Sequence, residues 1–494
     1  MLIRLLALLL AFMPAAAFAD PIDPEAIRRH IDVLASDAFE GREPGTAGED
    51  KSIAYIAGRL QAYGLEPAGP ANSWYQPLEI AVRRPGEETS LWQAREGAAR
   101  IALDRDSLIL LGRSQHETLA DAPVVFAGHG AVIPSRGLDQ LAGADLTGAV
   151  VLILYDEPGT PGFPGYAERV DAVAARGAAA VIGIVGSGLP WPVVQRVYDS
   201  GQHRLAIASG APIQGAISQA AAERLLRAAH DDLAVLLDSP PASFRPVRLK
   251  LRATFDVATD IQTIATHNVI GRIRGTAGGG ESLLYLAHWD HLGICEPDSD
   301  RDRICNGAVD NASGVASLIE IARALHRKPR PKRDILFLAT TGEEMGLLGA
   351  EYFATRPPVP IRSIVAAINL DTVAIAPRGS KVAVMRSGVP ALDSLIDRTI
   401  AETGRTLDSD SEGDALLERQ DGWAMARAGV PAAVVGGWFS DMNRLNAFLA
   451  GPYHSAADNP GPKLELGGAA EDADLLVALG RKLSDPEVYQ PPVR

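Results

Sequence analysis

The chain has 494 residues, 47% of them hydrophobic and 22% charged, with a formal net charge of −14. That length accommodates two or three domains, and the composition is that of a folded globular chain, not a disordered one. No basic cluster stands out, so no nucleic-acid partner is expected, and the acidic balance reads as a soluble surface rather than as a substrate signal.

Residues 1–19 have the pattern of an export signal: Arg4, an apolar run over 5–12, and Ala17-Phe18-Ala19 as a small-x-small cleavage site. The run is too short to span a bilayer, no cysteine follows it to carry a lipid, and no later transmembrane segment is found. A periplasmic or secreted protein without a stable membrane anchor is therefore expected. A helix is predicted over 24–34, then a Gly/Pro loop at 40–46, then a helix over 48–63. In the latter Ile53, Ile56, Ala57, Leu60 and Tyr63 share one face, and Gly64 is a natural stop. Residues 75–118 mix strand and turn signals without an assignable pattern. Beyond 120, the apolar runs 124–127 and 148–154 read as strands, the second buried on both faces. A helix over 166–176 and a strand over 177–184 follow. The histidines of this stretch, His129, His203 and His230, are scattered. The stretch therefore reads as an inserted module, a lid or partner surface rather than a site.

From about 254 the pattern becomes strand–helix alternation, which predicts an α/β sheet covered by helices on both faces. Strands at 268–274 and 282–287 flank a glycine cluster at 275–280, read most simply as a hairpin turn. The cluster lacks the Lys-Ser/Thr of a phosphate loop. A helix over 313–326 buries Val315, Leu318, Ile319, Ala322 and Leu325 and is stopped by Pro329 and Pro331. Strands at 335–340, 364–370 and 432–436 and a final helix over 472–483 complete the pattern. The only cysteines, Cys295 and Cys305, suggest a disulfide in an exported chain; two free thiols or an ion-binding loop are the alternatives.

The candidate chemistry lies in this second half: His288 and Asp290 at a strand end, then Asp310, Glu343-Glu344, Asp371 and His454. Singly, each has an ordinary reading: a structural histidine, a helix N-cap, a solvated helix start, a loop histidine. Together they fall at or just beyond the carboxyl ends of predicted strands or at a helix start, where sites form in open α/β sheets. Imidazole and carboxylate without thiolate suit a catalytic zinc site. One His/carboxylate set per metal with one carboxylate shared makes two neighbouring metals.

These residues resemble the M28 family of zinc metallopeptidases. The resemblance is carried by Ala287-His-Trp-Asp-His-Leu-Gly293, Asn306-Gly-Ala-Val-Asp-Asn-Ala-Ser-Gly314, Thr341-Gly-Glu-Glu-Met-Gly-Leu-Leu-Gly349, Asn369-Leu-Asp371 and Tyr453-His-Ser-Ala-Ala-Asp-Asn-Pro460, and covers most of 24–80 and 254–490. It implies two zinc ions, one held by His288 and Asp371, the other by Glu344 and His454, with Asp310 bridging. It further implies Asp290 as a carboxylate orienting the His288 ring, Glu343 as general base toward the metal-activated water, and Tyr453 as an oxyanion donor. The chain departs from the family pattern in three places. Trp289 replaces a tyrosine, Val309 replaces the first acid of an Asp-Asp pair, and Arg419-Gln-Asp-Gly422 stands where Arg-Ser-Asp-His is common. Trp289, Arg419 and Asp421 are thus candidates for the substrate pocket. The insert, through Phe126-Ala-Gly-His-Gly130, Asp145-Leu-Thr-Gly148 and Ala175-Arg-Gly-Ala178, resembles a protease-associated (PA) domain.

The expected architecture is a signal peptide at 1–19, a discontinuous catalytic domain at 20–119 and 251–494, and a PA-like, β-rich α/β insert at 120–250. The catalytic sheet is expected to be mixed, mostly parallel and flanked by helices, in the zinc-exopeptidase-like phosphorylase/hydrolase fold. The expected activity is hydrolysis of peptides from one end, foremost as an aminopeptidase. Carboxypeptidase, dipeptidase and non-catalytic receptor-like readings are the alternatives, and the sequence sets no oligomeric state. The related M20 pattern needs a dimerisation domain between the last carboxylate and the last histidine, for which 371–454 is too short. No G-x-S-x-G favours a serine hydrolase.

Overall fold

The computed structural model describes residues 21–492 apart from 95–99, 160–162, 208–209, 238–243, 296–301, 410–415 and 417. The expected export signal and most of the loop between the cysteines lie outside the described residues. The chain divides into two compact units, 1–77 with 267–494 and 78–266. No described helix is long and apolar enough to cross a membrane.

The first unit is built on a mixed sheet. Strand Ser282–His288 lies at its centre, parallel to Asp334–Thr340 on one side and to Ile364–Asn369 on the other. Ala432–Gly436 continues the parallel set, and the edges are antiparallel: Ala383–Met385 beyond Ala432–Gly436, and residues 269–273 beyond Asp334–Thr340. The strands alternate between two cores, as the pleat requires. Leu283, Tyr285, Ala287, Ile335, Phe337 and Ala339 face the helices Gly314–His326 and Leu466–Leu483. Leu284, Leu286, Leu336 and Leu338 face Leu348–Thr355 and Asp421–Arg427. Every residue of Ser282–His288 is buried, which is why the sequence there is an unbroken apolar run rather than an alternating one.

The first two helices form where expected, at Pro24–Leu34 and Ala47–Ala62, each N-capped by a side chain, Asp23 and Thr46. The glycine cluster does not make a hairpin. Strand Asp334–Thr340 sits between residues 269–273 and Ser282–His288, so 275–280 arches past an intervening strand. Gly275 is pressed against that strand's approach: a Cβ there would lie 2.4 Å from the Lys332 carbonyl oxygen. The last helix starts at Leu466, not 472. Cys295 and Cys305 form a disulfide, their Cα atoms 5.7 Å apart.

The second unit carries its own sheet and apolar cores. Val150–Leu154, Ala180–Val185 and Ile213–Ser218 are parallel, and Leu108–Gly112 closes one side antiparallel. Residues 124–126 of His116–Phe126 join the parallel set beside Val150–Leu154. The unit is wider than the 120–250 segment expected. Residues 78–119 and 251–266 belong to it because their strands pair inside it, as Ile109 with Ala216 and Val257 with Glu117.

Gly468, in the first turn of Leu466–Leu483, marks the closest approach of helix and loop: a Cβ there would stand 1.9 Å from the Ala376 carbonyl oxygen. Gly468→Ala must push helix and backbone apart, at a cost of about 1–3 kcal/mol. The expected result is a lower urea midpoint with an unchanged slope.

Candidate metal centre

The central strands deliver the ligand candidates to one edge. His288 ends its strand opposite Thr340, and Leu286 pairs with Asn369 in parallel. Asp371, two residues past Asn369, therefore comes level with His288. Glu343 and Glu344 follow Asp334–Thr340 in a turn whose amides point at Asp290: its Oδ1 accepts from Glu343 N at 3.2 Å and its Oδ2 from Glu344 N at 3.4 Å. Asp310 sits in the irregular turn Ala308–Ser313 ahead of helix Gly314–His326. The Asp458 carboxylate grips that turn, accepting from Val309 N at 2.9 Å and Asp310 N at 3.0 Å. Asn311 ties it to the next strand end, donating to the Leu370 carbonyl at 3.1 Å and accepting from Thr372 N at 3.2 Å. His454 comes from a loop and adopts φ +55°, a conformation that costs a non-glycine residue energy and is found preferentially at functional sites.

The two oxygens of Asp310 face different histidines. Oδ1 lies 3.3 Å from His288 Nε2, and Oδ2 lies 3.3 Å from His454 Nε2. Asp371 Oδ1 is 3.6 Å from His288 Nε2, and Glu344 Oε2 is 2.9 Å from His454 Nε2. Glu343 Oε2 stands 3.9 Å from His288 Nε2. Two overlapping groups, His288 with Asp310 and Glu344, and His288 with Glu343 and Asp371, each offer atoms within 4.8 Å of one another.

The donor set fits cations. His288 Nε2 is buried without a hydrogen-bond partner among the described residues, in a space lined by carboxylates. Such crowding of like charge at low dielectric is costly unless positive charge joins it. The side chains register the strain. Burial, reinforced by Asp371, Glu344 and Asp421 against the pull of His288, holds the Glu343 carboxyl well above its ordinary range. Burial alone would lower His288, but Glu343, Asp310 and Asp371 raise it well above its usual value. His454 is likewise raised, to about 9, its burial outweighed by bonds to Asp310 and Glu344.

An open cleft of about 460 Å³ meets this edge, lined by Asp310, Glu343 and Asp371 together with Arg419, Trp438, Leu445 and Tyr453. Arg419 is exposed there. The two other pocket candidates are not part of its lining. Trp289 is fully buried and its indole N–H donates to the His267 carbonyl at 3.0 Å, so it is core beneath the site. Asp421 is buried at a helix start and accepts from the Thr340 hydroxyl; its neighbour Gln420 lines the cleft instead. Asp290 also differs from expectation. Its carboxylate is 3.9 Å from His288 Nδ1, while its backbone oxygen is at 3.2 Å. The side chain organises the Glu343-Glu344 turn, and the main chain orients the ring.

Three further residues complete the centre. His291 Nδ1 holds Glu344 Oε1 at 2.7 Å, fixing the carboxylate whose other oxygen faces His454. Asp458 sets the Asp310 turn. Arg42 is buried and donates to the carbonyls of Trp289 at 2.8 Å, Asn306 at 2.5 Å, Gly307 at 2.9 Å and Leu34 at 2.9 Å, tying both ligand loops to one guanidinium. His291 and Asp458 sit inside the quoted motifs, but spacing alone does not separate them from bystanders. Arg42 lies in a Gly/Pro loop without periodicity. His291→Ala is expected to weaken metal binding about 10- to 100-fold, measured by competition with a chromogenic chelator. Unchanged affinity would remove His291 from the support of Glu344.

Residues 268–475 match the model of Peptidase family M28. The probable zinc metalloprotease of Pyrenophora teres f. teres (strain 0-1) is 37% identical over 105 residues, 21% of this chain and 22% of that protein. The alkaline phosphatase isozyme conversion protein of Escherichia coli (strain K12) is 33% identical over 117 residues, 22% of this chain and 34% of that protein. The matches thus span about a third or less of these relatives. Among solved structures, the aminopeptidase from Aneurinibacillus sp. strain AM-1 shares the fold, with a TM-score of 0.50, 18% identity and 96% of each chain covered. His288, Asp310, Glu343, Glu344, Asp371 and His454 all fall within the segment that matches peptidase family M28.

Proposed function

We propose that this protein is an exported di-zinc exopeptidase, acting foremost as an aminopeptidase. The observation that carries the two-metal reading is the division of Asp310 between His288 and His454, with Asp371 and Glu344 on the respective sides. Each side then offers one imidazole and one carboxylate, and Asp310 serves both. Zinc bound there would polarise a peptide carbonyl and lower the pKa of water. Glu343, whose carboxylate no short contact commits to another group among the described residues, is the proton acceptor. It lines the cleft, and burial raises its carboxyl above the ordinary range, which supports its reading as the group that takes a proton and passes it to the leaving amine. Tyr453 lines the same cleft, which supports its reading as the donor to a developing oxyanion. Leu445 and Trp438 provide an apolar wall for a substrate side chain. The export pattern at 1–19 supports a periplasmic or secreted location, and the second unit is read as a PA-like module.

Cleavage from the amino end follows the likeness in fold to the Aneurinibacillus aminopeptidase. One observation favours the opposite polarity. Arg419 is exposed on the cleft and has no ion pair among the described residues, so it could receive a substrate's terminal carboxylate.

Incubating the protein with a mixed-sequence peptide free at both ends, followed by mass spectrometry, separates these readings. A ladder shortening from the amino end is expected; shortening from the carboxyl end would transfer the assignment to a carboxypeptidase. Chelation should abolish the ladder and zinc restore it. Glu343→Gln should lower kcat by about 100- to 10,000-fold while zinc content by mass spectrometry stays at the wild-type level. A variant as fast as the wild type would take Glu343 out of the mechanism.

A further inference from the structure

The second unit holds a cluster of arginines that the proposed peptidase chemistry does not use. Arg83 lies on strand Tyr75–Ala94, which pairs antiparallel with Gln202–Leu205; Gln202 is opposite Arg83 and Arg204 opposite Ala81. Alternation across the pleat therefore sends Arg83 and Arg204 to the same face. Arg113 follows strand Leu108–Gly112, whose partner Ile213–Ser218 carries Gln214 opposite Leu111. The four side chains and Gly210 line an open cavity of about 360 Å³.

The charges there are not balanced. Arg83 is only 6% exposed. Its two terminal nitrogens make long contacts, 3.4 Å to the Gly112 carbonyl and 3.3 Å to Gln214 Oε1, and its Nε has no hydrogen-bond partner among the described residues. No carboxylate pairs with it among the described residues. Arg113 makes one bond, to the Gly210 carbonyl at 3.1 Å, and likewise has no ion pair among the described residues. Only Arg204 is compensated, by Asp171 at 2.6 Å. Burial, and then the nearby Arg204, lower Arg83 to about 10, so it stays charged at neutral pH. A buried guanidinium without a counter-charge is unfavourable, and here buried Arg83 shares the cavity with a second uncompensated guanidinium, that of the exposed Arg113.

The cavity is also kept open. A Cβ on Gly210 would stand 3.2 Å from Gln214 Nε2 and 3.5 Å from Arg204 Nη1, filling the space between those donors. Because Gln214 Oε1 accepts from Arg83, its amide N–H groups remain for another acceptor. Arginine forks match the paired oxygens of phosphate and carboxylate, and two net positive charges match a dianion better than a monoanion. We infer that Arg83, Arg113, Arg204 and Gln214 form a binding site for a phosphate-type oxyanion, either inorganic phosphate or a small phosphomonoester.

Titration calorimetry on the full protein tests this, with inorganic phosphate, phosphoserine and acetate as separate probes at constant ionic strength. Saturable binding of phosphate or phosphoserine is expected, and which of the two is tighter identifies the source. Arg113 is exposed, so Arg113→Gln should fold and should weaken that binding at least ten-fold; Arg83→Gln should do so more strongly. Phosphate held at the metal centre would be insensitive to both substitutions. Binding equal in wild type and Arg113→Gln, acetate binding as tight as phosphate, or no saturable heat would each overturn the assignment.

Discussion

Carboxylates repel, and at this centre Asp310, Glu343, Glu344 and Asp371 meet at the end of a fully buried strand. Water cannot screen them there as it would at a surface. The fold answers in two ways. It places imidazoles, His288, His291 and His454, between the acids, and it spends the neighbouring acids Asp290 and Asp458 on backbone amides, so that they fix loops instead of adding to the crowd. What remains is a set of oxygen and nitrogen atoms whose mutual positions make sense around cations. The division of Asp310 between two histidines is the sharpest expression of that constraint.

Rigidity around the acids comes from the main chain as much as from side chains. Asn311 accepts from Gly314 N and Thr372 N and donates to the Leu370 carbonyl, locking the Asp310 turn to the strand end that carries Asp371. Arg42 does the same for the loops bearing His288 and Asp310. Burial lowers its guanidinium to about 10, while Asp458, Asp310, Asp290 and Glu344 oppose the fall. Its short bonds are all to carbonyl oxygens, so it shares the electrostatic field of the acids without occupying their ligand positions.

The central sheet was legible because its strands are continuous apolar runs and its helices carry a single buried stripe; both signals are local. The ligand candidates were legible because chemistry constrains their types at strand ends. Elements decided by distant partners were not. The 275–280 turn read as a hairpin because nothing within it reveals that Asp334–Thr340 will slide between its flanking strands. Trp289 and Asp421 looked like pocket residues because their motif positions say nothing of which way a side chain points; both turned inward, to the His267 carbonyl and the Thr340 hydroxyl. The limits of the second unit were missed for the same reason, since residues 78–119 and 251–266 are assigned by pairing, not by composition.

Arg42 joins parts of the chain that are far apart in sequence: 247 residues separate it from Trp289 and 265 from Gly307. Contacts of that span form late, because the intervening chain must first be gathered in. The guanidinium emerges early and waits for carbonyl groups synthesised long afterwards, with a whole second unit made in between. The loops that present His288 and Asp310 are thus left without their shared anchor until the two ends of the first unit have met. Whatever chemistry the centre performs is withheld from the nascent polypeptide until the loop carrying His454 has been made.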